Sequence, residues 1–381
     1  MFKARKPGKV RLLIVFGTRP EALKCFPVAR QALADDRIET QICLTAQHRD
    51  MLDQVIELTE LPVHYDLDIM MPGQTLFDTT SRVLTGMAGV LDEARPDFVL
   101  VQGDTTTAMT AALAAFYKRI PVAHIEAGLR SGDIYSPWPE ELNRKIVGDL
   151  AALHFAPTQQ ARENLLREGK PADRIFVTGN TVIDTLLHFS GRLEGDAALD
   201  AEFSARFPFL DAGKKLILVT GHRRENFDGG MERICAALQA LAARGDVQIV
   251  YPVHPNPNVR GPVTAALGQA SDIHLIEPQD YLPFVYLLKR SRLVLTDSGG
   301  VQEEAPSLGK PVLVMRENTE RPEGVEAGTA LLVGTDVEKI LSNATRLLDD
   351  ASAYEQMSRR YNPYGDGRAS ERIVEELVRH A

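Results

Sequence analysis

The chain has 381 residues, of which 44% are hydrophobic and 25% charged, with a formal net charge of −9. This length predicts two domains that can each bury a hydrophobic core. The acidic balance, without a clustered basic stretch, argues against a nucleic-acid partner. No apolar run approaches the roughly 18 residues that a membrane-spanning helix needs, so we expect no membrane association.

Residues 1–9 are rich in basic side chains and predict a disordered tail. They do not predict a signal peptide, because the apolar run that follows is interrupted by Arg11 and ends at Gly17 without a cleavage site. The cysteine spacing fits neither a disulfide framework nor a zinc site, which favours a reducing, cytoplasmic location. The three cysteines are Cys25, Cys43 and Cys235.

Apolar runs of strand length alternate with helical stretches through residues 10–185. This rhythm predicts βαβ units and a parallel sheet that is buried on both faces. The predicted strands are 12–16, 40–44, 98–102, 122–125, 153–156 and 175–177.

The alternation restarts in the second half, residues 186–365, after a polar stretch at about 186–215 that we interpret as a linker. The segment Gly17-Thr-Arg-Pro-Glu21 resembles Gly221-His-Arg-Arg-Glu225, and each follows an apolar strand. Coincidence between two common strand-to-helix turns is the alternative explanation of this similarity. In either case the two sets of strands predict an α/β protein with two doubly wound domains and a ligand at the carboxyl ends of both sheets, in the cleft between them. The second set of predicted strands is 216–220, 248–253, 274–276, 293–296, 312–315 and 330–333.

The segment 121–144 passes from an apolar strand into a loop rich in ionisable groups. Glu126 closes the strand, and Glu140 and Arg144 lie four residues apart on the helix that follows. On spacing alone the last two form an exposed ion pair worth about 0.3–0.5 kcal/mol.

Asp104 follows the strand at 98–102, and two interpretations are open for it. It caps the next helix, or it joins Glu126 and Glu140 in a group of carboxylates at one sheet edge. Like charges and partial burial raise carboxyl pKa values, as general acid and base chemistry requires.

Two further turns place basic groups at strand ends: Arg19 follows Gly17, and His222 lies between Gly221 and Arg223. Solvated helix caps are the alternative interpretation. A histidine in the first turn after a buried strand is less often structural than a lone histidine on a helix face, so we expect a ligand or catalytic role for His222.

Ser298, Gly299 and Gly300 open a helix after the strand at 293–296. Their backbone N–H groups lie at a positive helix terminus, where they suit a diphosphate, and Glu304 is placed to accept hydrogen bonds from ribose hydroxyls. A plain Ser/Gly N-cap is the alternative. Neither a Walker A loop nor a G-x-G-x-x-G turn follows any predicted strand, and no metal-ligand spacing occurs, so we expect no cofactor and no metal.

Seven motifs, taken together and in this order, resemble the non-hydrolysing UDP-N-acetylglucosamine 2-epimerases. The resemblance extends from about residue 10 to the C-terminus. The motifs are Gly17-Thr-Arg-Pro-Glu-Ala-Leu-Lys24, Thr45-Ala-Gln-His-Arg49, Gly103-Asp-Thr-Thr-Thr107, His124-Ile-Glu-Ala-Gly-Leu-Arg130, Pro137-Trp-Pro-Glu-Glu-Leu-Asn-Arg144, Gly221-His-Arg-Arg-Glu-Asn226 and Asp297-Ser-Gly-Gly-Val-Gln-Glu-Glu304.

The resemblance implies the glycosyltransferase-B fold, in which two Rossmann-like domains face each other across a cleft. It also implies that a C-terminal helix, residues 366–381, packs back on the N-terminal domain. The implied reaction interconverts UDP-GlcNAc and UDP-ManNAc by anti elimination of UDP to a 2-acetamidoglucal and re-addition of UDP. A homodimer that needs no cofactor and supplies cell-envelope polysaccharide synthesis is the family expectation.

Residue roles follow from matching motif positions to the family. The catalytic positions match Asp104, Glu126, Glu140, Arg144 and His222. The positions that hold the UDP-sugar match Arg19, Lys24, Gln279, Phe284, Ser298, Gly299, Gly300, Glu304 and Arg321. Positions near an activator site, at which some members bind a second UDP-GlcNAc, match Gln47, Arg223 and His254. The segment 71–74 departs from the family's activator-site pattern.

Four alternatives stay open at this point. A hydrolysing relative would release free ManNAc, and another relative would act on a diacetamido uronic acid sugar. A glycosyltransferase of the same fold would need an acceptor site, for which the sequence gives no motif. A non-catalytic nucleotide-sugar binder would not call for so many acids near a diphosphate.

Overall fold

The computed structural model describes residues 8–381, which form two compact units. Unit 1 is the chain up to Thr185 together with Gly365–Ala381, and unit 2 is Leu186–Tyr364. Residues 1–7 of the predicted disordered tail lie outside the described residues. Residues 8 and 9 are described, and Lys9 Nζ lies 3.7 Å from Asp36 Oδ1.

Unit 1 is built on one sheet of seven parallel strands. They are β1 (Val10–Phe16), β2 (Ile38–Leu44), β3 (Tyr65–Asp66), β4 (Phe98–Gln102), β5 (Val122–Ile125), β6 (Ala151–Ala156) and β7 (Ile175–Val177). Their order in the sheet is β3-β2-β1-β4-β5-β6-β7. Chain order therefore reverses at β1, which has β2 on one side and β4 on the other. Ligands of such sheets bind where the chain order reverses, so we expect a ligand in the crevice beyond the carboxyl ends of β1 and β4.

The helices of unit 1 cover both faces of this sheet, which explains why β1 is buried at every residue except Arg11. A capping box formed by Thr18 and Glu21 starts the first helix. The helices are α1 (Arg19–Ala34), α2 (Arg49–Thr59), α3 (Leu76–Ala94), α4 (Thr106–Tyr117), α5 (Glu140–Leu150), α6 (Gln159–Arg167) and α7 (Thr181–Gly195), which continues into unit 2.

Unit 2 contains a second parallel sheet, of six strands. They are β8 (Lys215–Thr220), β9 (Val247–Pro252), β10 (Ile273–Ile276), β11 (Leu293–Thr296), β12 (Val312–Val314) and β13 (Ala330–Leu332), in the order β10-β9-β8-β11-β12-β13. Chain order reverses at β8, between β9 and β11. The six strands of unit 2 thus repeat the order of the first six strands of unit 1.

The helices of unit 2 are α8 (Ala197–Arg206), α9 (Gly230–Ala242), α10 (Pro257–Leu267), α11 (Tyr281–Arg290), α12 (Gly299–Glu304), α13 (Pro322–Glu326), α14 (Val337–Asp349) and α15 (Ala351–Ser358). The stretch 186–215 that we interpreted as a linker is largely helical, because it contains the end of α7 and all of α8. The helical periodicity was not recognised in the sequence because most residues of α8 are polar or exposed, and few positions, such as Phe203, are buried.

The last helix, α16 (Ala369–Arg379), belongs to unit 1 and packs against α1. It buries Ile373, Val374 and Leu377. At its start, the backbone N–H and hydroxyl of Ser370 donate to Asp184 Oδ1 at 2.8 and 2.6 Å. The C-terminal segment thereby completes unit 1.

The predicted parallel sheets are confirmed, and each predicted strand lies within two residues of its observed bounds. Among residues 8–381, no helix combines the length and apolar character needed to cross a membrane.

Candidate functional site

Glu126 lies directly after β5 and is held by donors from three other segments. Its Oε1 accepts from Lys24 Nζ at 2.5 Å and from Asn180 Nδ2 at 3.1 Å, and its Oε2 accepts from Gln102 Nε2. The residue is 9% exposed, and its backbone has φ 63°, which is rare for a residue with a Cβ. This is a fixed, nearly buried carboxylate with an ammonium partner, a suitable arrangement for proton transfer.

Lys24 was predicted to contact the nucleotide. In the structure it forms an ion pair with Glu126, one of the predicted catalytic residues, and its contact with the nucleotide stays a prediction. Gln102 and Asn180 were not singled out from the sequence. Both are buried amides at strand or loop ends, a weak signal that becomes informative only once the sheet order is known.

Asp104 is fixed by α5. Its Oδ2 accepts from Arg144 Nε at 2.9 Å and Nη2 at 2.6 Å, and its backbone carbonyl accepts from Asn143 Nδ2 at 2.8 Å. Thr105, not Asp104, caps α4, because its hydroxyl accepts from Ala108 N. The capping interpretation of Asp104 is therefore wrong, and its carboxylate lies at the carboxyl end of β4.

The predicted Glu140–Arg144 ion pair is replaced by two other contacts of Arg144. The arginine pairs with Asp104 and, through Nη1, with Glu141 Oε2 at 3.0 Å. Glu141 is fully buried and also accepts from Ser131 N, whereas Glu140 is the partly exposed first residue of α5. The buried face of α5 thus selects Glu141 as the partner, which the i, i+4 spacing alone did not reveal.

Glu21 is a buried acid that the sequence analysis did not single out. It accepts from Gly17 N at 3.0 Å, Thr18 N at 2.9 Å, Thr18 Oγ1 at 2.8 Å and Thr105 Oγ1 at 2.5 Å. Burial raises the pKa of Glu21 to about 7, although these hydrogen bonds act to lower it. The contacts join the turn after β1, which leads to Arg19, to the turn after β4, which carries Asp104.

The turn after β1 is tightly packed. A Cβ at residue 17 would collide with the hydroxyl of Thr45 and lie 2.6 Å from Thr107 Oγ1, so only glycine fits. Thr107 Oγ1 donates to Gln47 Oε1 at 2.9 Å. Gln47, a predicted activator residue, therefore contacts the polar residues under the Gly17 turn, while Arg19 is half-buried at the start of α1.

In unit 2, His222 follows β8 and lies beside Asp297, which follows β11. Asp297 Oδ2 accepts from the backbone N–H groups of His222 and Arg223, each at 2.8 Å, and Oδ1 lies 3.4 Å from His222 Nδ1. The His254 ring stacks on the His222 ring at 5.3 Å. Burial lowers the pKa of His222, and the Asp297 carboxylate opposes that shift.

Two predicted activator residues, Arg223 and His254, lie near this histidine. Arg223 Nη2 is 3.9 Å from Glu320 Oε2, the edge of ion-pair range. The third, Gln47, belongs to unit 1.

The predicted diphosphate site at the start of α12 differs in one respect from expectation. The Ser298 N–H is not uncovered, because it donates to Thr296 Oγ1 at 2.9 Å. Gly299 and Gly300 are the first residues of α12, and their N–H groups have no acceptor within the helix. The Arg321 guanidinium carbon lies 3.8 Å from where a Cβ at residue 299 would be, so a cation adjoins these amides.

Arg321 is fixed by Glu303, to which its Nε donates. Glu304, the predicted ribose ligand, is buried and accepts from Tyr281 Oη at 2.7 Å. Phe284 lies on the same helix as Tyr281, α11, and is partly exposed. Just before α11, Gln279 Oε1 accepts from Arg206 Nη2 at 2.8 Å.

The structure thus brings predicted residues together within each unit. In unit 1, Lys24 contacts Glu126 and Asp104 contacts Arg144, while Glu140 joins neither pair. In unit 2, His222 stacks on His254. Within residues 8–381, no cluster of histidine, cysteine, aspartate and glutamate is arranged to hold a metal ion.

Two doubly wound parallel sheets, each followed by ionisable residues at its central strands, define a protein of the glycosyltransferase-B-like class. The family model described as UDP-N-acetylglucosamine 2-epimerase matches residues 31–378. The chain belongs to the UDP-N-acetylglucosamine 2-epimerase family, which confirms the predicted resemblance.

Individual relatives agree over nearly the whole length. The chain is 59% identical to a UDP-N-acetylglucosamine 2-epimerase of Yersinia pestis, over 97% of this chain and 99% of the relative. The crystal structure of the Neisseria meningitidis UDP-GlcNAc 2-epimerase bound to UDP-GlcNAc is 49% identical, covers 97% of this chain and 100% of that one, and superposes with a TM-score of 0.89. A Methanocaldococcus jannaschii UDP-GlcNAc 2-epimerase in complex with UDP-GlcNAc and UDP is 37% identical, with the same coverage and a TM-score of 0.80.

Proposed function

We propose that the protein interconverts UDP-GlcNAc and UDP-ManNAc, as a non-hydrolysing 2-epimerase. The observation that carries this proposal is the position of Glu126, a nearly buried carboxylate fixed beside Lys24 at the carboxyl end of the sheet in unit 1. Family membership supports it, and so do the two relatives solved with UDP-GlcNAc.

The C2 proton of the sugar is not adjacent to a carbonyl, so its direct removal would leave an unstabilised carbanion. Elimination avoids this intermediate: a base takes the C2 proton while the C1–O bond to UDP breaks, and the electron pair forms the C1–C2 double bond of a 2-acetamidoglucal. UDP then adds back to C1 as a proton reaches the opposite face of C2. No net oxidation occurs, so the reaction needs no external redox cofactor, and we propose that no metal is required either.

Groups in unit 1, together with His222 of unit 2, provide the acids and bases for this reaction. Glu126, Asp104, Glu140 and His222 are the candidate proton donors and acceptors, because two faces of C2 must be served. Arg144 holds Asp104 through two nitrogens and thereby fixes the direction in which its carboxylate points.

The groups in unit 2 hold the nucleotide. Negative charge grows on the diphosphate as UDP leaves, and cations or N–H groups that are already oriented stabilise that charge best. Gly299, Gly300 and Arg321 meet this requirement at the start of α12. We assign the ribose to Glu304 and the uracil to Phe284.

A cytoplasmic homodimer that supplies cell-envelope polysaccharide precursors completes the proposal. The three buried, unpaired cysteines agree with a reducing compartment. Activation by a second UDP-GlcNAc at Gln47, Arg223 and His254 is a further proposal, which kinetics at varied UDP-GlcNAc concentration test.

The decisive experiment incubates the full chain with UDP-GlcNAc in D2O, without NAD, and follows the sugar by NMR. UDP-ManNAc that carries deuterium at C2 is the expected product. Free ManNAc would indicate a hydrolysing enzyme, retention of the C2 hydrogen would contradict elimination, and no turnover would leave a nucleotide-sugar binder. A transferase would release UDP only when an acceptor is added.

A further inference from the structure

Asp297 is a fully buried carboxylate with two very different oxygens. Its Oδ2 accepts three hydrogen bonds, from His222 N and Arg223 N at 2.8 Å each and from Asn226 Nδ2 at 3.2 Å. These donors come from one turn, so this oxygen fixes the backbone that follows β8. The side chain has no exposed surface.

The second oxygen, Oδ1, is buried and has no hydrogen-bond donor among residues 8–381. It lies 3.4 Å from His222 Nδ1. A buried acceptor without a donor is costly, so the arrangement favours a proton on Nδ1, pointing at this oxygen.

The His222 ring is also restrained on its face. The His254 ring lies parallel to it, with an interplanar angle of 20° and a centroid distance of 5.3 Å. His254 is itself oriented by Asn256, whose backbone N–H donates to His254 Nδ1 at 3.2 Å. Nε2 of His222, the nitrogen remote from Asp297, has no hydrogen-bond partner within residues 8–381.

We propose that Asp297 is a positioning residue that holds His222 in the Nδ1–H tautomer, so that Nε2 is the atom that exchanges a proton with the substrate. The inference rests on the proposed function and specifies the chemistry of one of its residues. A carboxylate behind an imidazole sets its tautomer and orientation and stabilises the imidazolium that forms when Nε2 takes up a proton. No covalent bond to the protein is involved.

The charged and titratable groups around His222 determine what removal of the carboxylate does. Burial has the largest effect and lowers the pKa of His222, as do Arg223 on its own turn and His254 after β9, whereas Asp297 raises it. Tyr251 of β9 faces the same carboxylate and donates its hydroxyl hydrogen to Gly221 O. Without Asp297, burial, Arg223 and His254 remain, and all three disfavour the imidazolium.

The tautomer of the wild-type protein is the direct test. In the full chain labelled with 15N-histidine, with the His222 signals assigned by comparison with His222→Gln, we expect a protonated Nδ1 and an unprotonated Nε2 above the His222 pKa. A protonated Nε2 would overturn the proposal. This readout does not depend on turnover, so it stays informative if the epimerase proposal itself fails.

The variant Asp297→Asn tests the consequence. Its amide oxygen still accepts from the turn, but its NH2 group faces Nδ1 and imposes the opposite tautomer. We expect kcat to fall by on the order of 10- to 1,000-fold, with the UDP dissociation constant changed by less than about three-fold. The pH limb that belongs to His222 is expected to move to lower pH.

Glu225→Gln is the matched control, because Glu225 lies on the same turn but contacts Arg316 instead of His222. We expect it to keep the wild-type tautomer and pH profile. Two results for Asp297→Asn would show that Asp297 merely supports the turn. One is an unchanged kcat. The other is a fall in kcat that accompanies a loss of UDP affinity while the pH limb stays where it is in wild type.

Discussion

At the scale of single residues, Glu126 is the clearest case of a side chain placed against local preference. A left-handed backbone at a residue with a Cβ costs on the order of 1 kcal/mol or more and persists only where the surroundings enforce it. Here Lys24, Gln102 and Asn180 enforce it by donating to the carboxylate. Three donors from separate segments orient the group more strictly than burial alone would.

The substitution Glu126→Gln removes the proton acceptor with little change in volume. We expect kcat to fall by roughly 100- to 10,000-fold, because positioned acid or base groups contribute about that much to rate. The UDP dissociation constant should change by less than about three-fold, because most of the proposed nucleotide contacts lie in unit 2. Steady-state kinetics and calorimetric titration with UDP measure the two quantities.

Glu163→Gln, an exposed glutamate on α6, is the control and is expected to keep full activity. A Glu126→Gln variant with wild-type kcat would return Glu126 to a purely structural role. Equal losses of activity and UDP affinity would place it in nucleotide binding.

At the scale of elements, the turns after β1 and β4 are held together because Glu21 accepts hydrogen bonds from both. The carboxylate accepts from the first turn and from Thr105, which caps α4 next to Asp104. The equivalent carboxylate in unit 2 is Asp297, which reaches the turn after β8 from a neighbouring strand end. In both units a carboxylate therefore holds the turn after the first strand, but it comes from the following helix in unit 1 and from the end of a neighbouring strand in unit 2.

The raised pKa of Glu21 makes the stability of the protein depend on pH. Its ordinary pKa is 4.5, and in the folded protein it is about 7, so the folded state holds more protons than the unfolded state between these values. The free energy of unfolding contributed by Glu21 is therefore largest below pH 4.5 and falls as pH rises to 7, by on the order of 3 kcal/mol.

Urea denaturation of wild type and Glu21→Gln at pH 5 and pH 7.5 measures this effect. We expect the stability of wild type relative to the variant to decrease at the higher pH, because glutamine does not titrate. The exposed Glu57→Gln on α2 should follow the wild-type curve. A constant difference between wild type and Glu21→Gln would show that Glu21 keeps an ordinary pKa.

Helices and strands could be predicted from the sequence where most of their residues are buried, and not where most are exposed. The strands of both sheets are predicted by their apolar runs, but β3, only two residues long with Asp66 exposed, leaves no such pattern. Glu140 and Glu141 are adjacent residues of the same type, so the sequence alone does not distinguish them. Only the packing of α5 shows which one is buried. Glu21 resembles a local capping residue until the fold brings Thr105 to it.

At the scale of the whole molecule, the chain forms two units with separate hydrophobic cores. One core of unit 1 gathers residues from Leu13 to Val147, and the core of unit 2 gathers residues from Ile217 to Met357. The chain passes between the units twice, at Thr185–Leu186 and at Tyr364–Gly365. Separate cores predict two unfolding transitions, since each unit can lose its packing independently.

Ligand binding should shift these transitions unequally. The only tryptophan, Trp138, lies in unit 1, so its fluorescence reports that unit, whereas circular dichroism reports both. UDP alone, at about 100 times its dissociation constant, stabilises the state that binds it by about 2.7 kcal/mol, which raises a midpoint by roughly 5–10 °C for a unit of this size. With most proposed contacts in unit 2, the transition absent from the Trp138 signal should take most of this shift. A shift confined to the Trp138 transition would assign UDP to unit 1 and contradict the roles of Gly299, Gly300 and Arg321.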